Sequence, residues 1–182
     1  MAYFGSQATT SIYAGNPLAD VVCLGKFTLT EAGTVSKLTI YCDNQGSGYQ
    51  ACNAKGLIYA ADGSGGRPST LKAASGAVAV SANQAAGWVD FTLSVALAAG
   101  DYWLGGMADA SGTGWRMYGQ TSGGYIYAAS DTYSDGPADP CSTTLYGGSP
   151  HEGTSLVCVY ATYTTTPSGI SIPLLNHLLL GD

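Results

Sequence analysis

The chain has 182 residues, enough for one domain around a single buried core, with 46% apolar residues and only 10% charged ones, against about 25% charged in an ordinary soluble domain. Ser, Thr, Asn, Gln, Gly and Tyr must therefore make its surface polar, and such a surface loses little ionic hydration when another molecule covers it. The net charge is −6 and the six basic residues stand singly at Lys26, Lys37, Lys55, Arg67, Lys72 and Arg116; this argues against nucleic-acid binding, and no stretch approaches the roughly 20 apolar residues of a membrane span.

In chain order, the opening Met1 to Gln7 has neither the basic nor the apolar region of a secretion signal, so none is expected. Val22 to Leu29 alternates, with Cys23, Phe27 and Leu29 on one side and Lys26 and Thr28 on the other. Val35 to Cys42 sets Leu38, Ile40 and Cys42 on one face. Leu57–Ala60 and Ala77–Ser81 are shorter strand candidates. Trp88 to Val95 points Val89, Phe91, Leu93 and Val95 inward and Trp88, Asp90, Thr92 and Ser94 outward. Tyr102–Met107, Trp115–Tyr118, Tyr125–Ala128 and Leu156–Tyr163 complete the set. A period of two with β-branched and aromatic residues marks half-buried strands.

Turns punctuate these runs at Glu31–Gly33, Asp62–Gly66, Ala85–Gly87, Ala98–Asp101 and Ser111–Gly114, and the 26 glycines would break any long helix. Many short strands with such turns predict an all-β protein, an antiparallel β-sandwich of jelly-roll type, over residues 1–166. Between Gly119 and Pro150 the alternation fades into a Gly, Ser, Tyr and Asp-rich loop. Loops of that length are usually functional or contact-making, the plain alternative being a solvated connection.

Residues 167–182 read differently. Pro167-Ser-Gly169 is a linker, Pro173 suits a first helical position, and Gly181 suits a stop. Leu174, Leu175, Leu178 and Leu179 would share one face of a two-turn helix, with Ile170, Ile172 and Leu180 adding to its apolar character. So short an arm cannot repay its ordering entropy alone, so it must lean on a surface. That surface is either its own sandwich or a groove on another subunit; the linker, which decouples the arm from the sandwich, favours the subunit.

Five cysteines, Cys23, Cys42, Cys52, Cys141 and Cys158, include no Cys-x-x-Cys, and His151 and His177 fit no zinc pattern. Cys42 and Cys52 flank a turn-rich stretch and could form a disulfide at its base, worth roughly 2–3 kcal/mol by loop closure. Equally they could be small buried hydrophobes. Catalytic motifs are absent: there is no nucleophile elbow, no His-Glu-x-x-His and no P-loop. His151-Glu152 lacks a partner at helical spacing, and the two glutamates, Glu31 and Glu152, make a poor glycosidase pair. Asp131, Asp135 and Asp139 could offer oxygen to calcium but lack the EF-hand pattern, and turn chemistry explains them better. No enzyme activity, metal or cofactor is expected. Aromatics crowd the second half at Trp103, Trp115, Tyr118, Tyr125, Tyr127, Tyr133 and Tyr146, where they would serve sugar stacking, protein contacts or the outer faces of a Tyr-rich sheet.

Three stretches share one pattern: Ala32-Gly-Thr-Val-Ser-Lys-Leu-Thr-Ile-Tyr41, Arg67-Pro-Ser-Thr-Leu-Lys-Ala-Ala-Ser-Gly76, and Gly87-Trp-Val-Asp-Phe-Thr-Leu-Ser-Val-Ala-Leu-Ala-Ala-Gly-Asp-Tyr-Trp-Leu104. With the closing Val159–Thr164, the chain from about residue 20 to 164 resembles jelly-roll-like β-sandwich domains of tailed-phage structural proteins and of some bacterial extracellular proteins. The resemblance implies a virion component made in the host cytoplasm, with other virion proteins as partners and homo-oligomers within the assembly. It allows a capsid decoration protein that stabilises the shell, or a tail or fibre module that binds a receptor or glycan. Small size and a C-terminal docking arm favour decoration. Two readings outside phage are a carbohydrate-binding module and a subunit of an extracellular filament joined by exchanged arms. The cysteines and the leucine-rich arm depart from the group's pattern.

Overall fold

A computed structural model describes residues 1–9, 12–15, 19–45, 50–109, 114–121, 123–146 and 155–166. Among the described residues thirteen strands form two antiparallel sheets packed face to face. They are β1 (Ala2–Gly5), β2 (Ile12–Gly15), β3 (Val21–Leu29), β4 (Gly33–Asn44), β5 (Cys52–Ala60), β6 (Leu71–Ala74), β7 (Val78–Val80), β8 (Gln84–Leu97), β9 (Gly100–Ala108), β10 (Trp115–Gln120), β11 (Ile126–Ser130), β12 (Leu156–Val157) and β13 (Val159–Thr165). The chain passes repeatedly from one sheet to the other: β3, β5, β6, β7, β9 and β11 build a six-stranded sheet and the others a seven-stranded one. The expected β-sandwich is the fold. Residues 167–182, which include the whole expected arm, lie outside the described residues.

The spine of the seven-stranded sheet is β4. Strand β8 runs along one side of it, from Gly33 opposite Leu97 to Asn44 opposite Gln84. On the other side β13 pairs with Gly33–Ile40 and β10 with Cys42–Asn44. The alternation read from β8 holds: Phe91 and Leu93 are buried while Trp88, Asp90, Thr92 and Ser94 face out. The inward faces of both sheets meet in one core that includes Leu38, Ile40, Cys42, Ile58, Phe91, Leu104 and Trp115, all fully enclosed.

The close fit depends on glycines in the six-stranded sheet. Gly56 on β5 and Gly106 on β9 sit side by side across a strand pair. A Cβ at Gly56 would come within 2.8 Å of Phe91 Cβ, and one at Gly106 within 3.1 Å of Ile40 Cδ1 and 3.2 Å of the Trp115 ring. The large side chains of one sheet therefore rest on bare backbone of the other, which brings the layers together without voids.

The Cys42–Cys52 disulfide weighed from the sequence is not formed; among the described residues all five cysteines are buried thiols in no disulfide. The reason lies in the topology. The stretch between them is not the tip of a hairpin but the crossing from β4 in one sheet to β5 in the other, and each cysteine packs into the shared core. Burial pushes the thiols of Cys23, Cys42 and Cys141 up to about 12 and that of Cys52 up to about 11, which suppresses the thiolate needed for exchange. Native protein treated with iodoacetamide at neutral pH is therefore expected to resist alkylation, with all five cysteines reacting in denaturant. Rapid labelling of the native protein, read by mass spectrometry, would contradict the packing.

Candidate functional site

The outer faces of the two sheets differ, and the difference locates the candidate site. On the six-stranded sheet a second apolar cluster forms from Val22, Leu24, Leu57, Tyr59, Trp103, Met107 and Tyr127. Its cover is the described part of the long loop. Tyr59 donates its hydroxyl to Ala138 O at 2.8 Å, Tyr127 donates to Ser142 O at 2.7 Å, and Cys141 N donates to Ser69 O at 2.8 Å. Lys55 Nζ stands 4.1 Å from the centroid of the Tyr133 ring. The described part of this loop thus closes over its own sheet.

The loop aspartates fasten that cover. Asp131 Oδ2 accepts from Ala138 N at 2.9 Å, Asp139 Oδ1 from Leu71 N at 3.1 Å, and Asp20 Oδ1 from Tyr133 N at 2.9 Å. Desolvation, with Asp135 and Asp20 nearby, raises the Asp131 carboxyl above its ordinary value. This is turn and loop chemistry; no group of three or more His, Cys, Asp or Glu among the described residues is arranged to hold a metal ion. An open recess of about 750 Å³ lies beside it, lined by Asp20, Asp131, Thr132, Ser142, Thr144 and Tyr146 among others. His151 and Glu152 fall outside the described residues.

The seven-stranded sheet has no such cover among the described residues. Its outer face carries five aromatic rings in a continuous row across β1, β13, β8, β4 and β10. Tyr3 lies 6.0 Å from Tyr160, Tyr160 5.2 Å from Trp88, Trp88 5.1 Å from Tyr41, and Tyr41 5.1 Å from Tyr118, centroid to centroid. Strand register explains the row. Trp88 is paired directly with Tyr41, and Tyr160 with Thr39 one step along the same face. Interplanar angles of 54–70° make these tilted or edge-to-face pairs, worth about 0.5–1.5 kcal/mol each beyond area burial. Tyr3 is 56% exposed and Trp88 36%.

Polar groups frame the row. At its centre Thr39 donates to Asp90 Oδ1 and Lys37 Nζ donates to Asp90 Oδ2, both at 2.8 Å. At its Tyr118 end, Asp43 is fully buried and accepts from Arg116 Nε and Nη2 and from the Tyr118 hydroxyl, each at 2.7 Å. The two-pronged pair is directly cross-strand, Asp43 opposite Arg116. It fixes the orientation of Tyr118 and anchors that end of the face.

The acidic groups also set a pH response. Asp90 is desolvated, which raises its carboxyl, but bonds from Lys37 and Thr39 outweigh this and leave it below 3.8; Thr70 lowers Asp62, and Thr28 with Lys26 lowers Asp101. A carboxyl held lower in the folded state stabilises it above the unfolded value, and that contribution vanishes as pH falls through the folded value. Thermal unfolding followed from pH 5 to pH 2 is expected to show Tm falling only below about pH 4. The exposure of Asp62 and Asp101 keeps their share small, and Asp131, held above its ordinary value, acts in the opposite sense; an Asp90→Asn variant whose Tm falls as steeply as the parent's below about pH 4 would contradict the Asp90 pairing.

Of the aromatics singled out from sequence, Trp115 is core, Trp103 and Tyr127 belong to the covered cluster, and Tyr118 ends the row. Tyr125, 60% exposed, lies just before β11 of the other sheet. Tyr3, Tyr41, Trp88 and Tyr160 were not singled out. The usable signal was the alternation that points Trp88 outward beside inward Val89; the meeting of rings from five strands has no trace in linear spacing. No protein-family model and no curated protein matches the chain.

Proposed function

We propose that this protein is a non-enzymatic structural component of an assembled particle. On the resemblance drawn from its strand and turn pattern, the particle is a phage virion and the protein a decoration and stabilisation subunit of its shell. The aromatic row carries the reading. Tyr and Trp, amphipathic and costly to leave in water, are the residues that concentrate in protein interfaces. The tilt between neighbouring rings also matters: no neighbouring pair is coplanar, which disfavours a flat platform for stacking successive sugars. Sparse charge on the face keeps its desolvation cheap.

The apolar arm would add a second hold. The last described strand, β13, bears Tyr160, so the proposed arm follows directly in sequence on a strand of the aromatic face. Ile170, Ile172, Leu174, Leu175, Leu178, Leu179 and Leu180 would anchor it in a groove of the neighbouring subunit. The test compares the full chain with one ending at residue 167, each produced with the particles that carry it and sedimented with them. The truncated chain is expected to keep the sandwich, with unchanged far-ultraviolet circular dichroism and Tm, and to vanish from the particle fraction. Full retention would refute the anchor.

A further inference from the structure

We infer that the outer edge of β8 is an interface between two copies of this chain, which join through it into one continuous sheet. Strand β8 is 14 residues long and pairs with β4 along one side; no strand among the described residues pairs along the other. The remaining edges are covered or short. The loop caps β11 through Ser130 N to Thr144 O at 2.8 Å and β6 through Leu71 N to Asp139 Oδ1 at 3.1 Å, while β1 has four residues and β12 two. Strand β8 contains no proline and no basic residue, and its single acid, Asp90, is held by Lys37 at 2.8 Å. A long edge with so little charge is a template for pairing with another chain.

The ladder shows which groups the edge offers. Tyr41, paired with Trp88, donates its N–H to Cys158 O at 2.9 Å, on the side of β4 away from β8. In an antiparallel sheet the N–H and C=O of one residue point the same way, and the direction alternates along the strand. Trp88, Asp90 and Thr92 therefore present theirs to the free edge, while Val89 and Phe91 bond to β4. Bulges interrupt the β8 ladder on both sides of Gly87–Thr92, which stays regular. A bulge turns an edge away from pairing, so this stretch is the part that can join.

Symmetry and charge select the register. Residues directly opposite in an antiparallel pair lie on the same face, so two copies related by a two-fold axis through the sheet pair with the axis on one residue. An axis at Asp90 would set two carboxylates face to face, and one at Phe91 would shrink the regular overlap to Asp90–Thr92. An axis at Val89 pairs Gly87–Phe91 with its copy. Each Trp88 then stands opposite the second copy's Asp90, exchanging both main-chain hydrogen bonds, and no like charges meet. Val89, half-buried at the margin of the core, packs against its own counterpart. Both aromatic rows stay on one side of the joined sheet, so the pairing neither blocks nor depends on docking through them.

The experiment combines sedimentation velocity of the full chain with cysteine cross-linking. The parent is expected to pass from monomer to dimer as its concentration rises. Val89→Cys is expected to cross-link to itself on mild oxidation, because opposed residues of a non-hydrogen-bonded pair have Cα atoms about 4.5 Å apart, within disulfide reach. Asp90→Cys, Thr92→Cys and the parent should not. Trp88→Pro removes an edge N–H but no bond to β4, and should dimerise about tenfold less tightly than Trp88→Ala for the two donors lost. Far-ultraviolet circular dichroism checks that each variant folds, and the cross-linking result stands even if Trp88→Pro does not. A parent that stays monomeric at millimolar concentration would overturn the inference. So would cross-linking at position 90 or 92 in preference to 89, or equal dimerisation of folded Trp88→Pro and Trp88→Ala.

Discussion

Replacing Asp43 with alanine is expected to destabilise the sandwich by about 3–5 kcal/mol, the usual loss when one partner of a buried ion pair is removed. The carboxylate is fully enclosed and accepts three hydrogen bonds of 2.7 Å from Arg116 and Tyr118. Without it the Arg116 guanidinium, its side chain only 14% exposed, keeps its desolvation cost and loses the carboxylate that offsets it, and the Tyr118 hydroxyl loses its bond to Asp43. For a chain of this size the loss corresponds to a fall in Tm of roughly 6–20 °C. The double variant Asp43→Leu/Arg116→Met, which removes both charges, should recover much of it, because well-packed apolar pairs often replace buried ion pairs at little cost. A single variant within about 2 °C of the parent would show that the pair is solvated in solution.

Asp43 also shows what could be read from the sequence. The alternation of β4 is visible as Leu38, Ile40 and Cys42, and it places Tyr41 and Asp43 on the outer face. Nothing in the linear pattern says that Asp43 is buried and paired, because its partners Arg116 and Tyr118 stand on β10, far along the chain. The β8 alternation gave its inner and outer faces correctly because nothing in the local sequence competes with it. Strand β1 went unread: Ala2–Gly5 has one buried residue, Phe4, and exists by pairing with β13. The long loop was visible as a loop, but not its task of covering the sheet, since the partners of Tyr59 and Tyr127 are backbone carbonyls that any residue supplies. Lys26 and Arg67 look solitary in the sequence for a related reason: they come to line one small recess only after β3 and the turn at Gly65 are brought together.

The second large effect concerns the aromatic face. Trp88 lies between Tyr41 and Tyr160, with centroid distances of 5.1 and 5.2 Å, and it is the partly exposed centre of the row. Central aromatic residues of an interface commonly cost 2 kcal/mol or more on truncation, about 30-fold in affinity. On the proposed docking, Trp88→Ala should therefore weaken binding to the particle about 30-fold, and Tyr3→Ala should weaken it as well. Because both side chains already meet solvent in the isolated domain, the loss of folding stability should be much smaller than that of Asp43→Ala. The contrast separates the two proposed roles: the ion pair at the Tyr118 end of the row maintains the fold, while the exposed rings would make the contact.

Hydroxyl-radical footprinting of the particle-bound and the isolated protein tests this directly. The expected result is strong protection of Tyr3, Trp88 and Tyr160 on assembly, with Tyr125 on the opposite sheet labelled equally in both states. Equal labelling of Trp88 in the two states would contradict docking through this face.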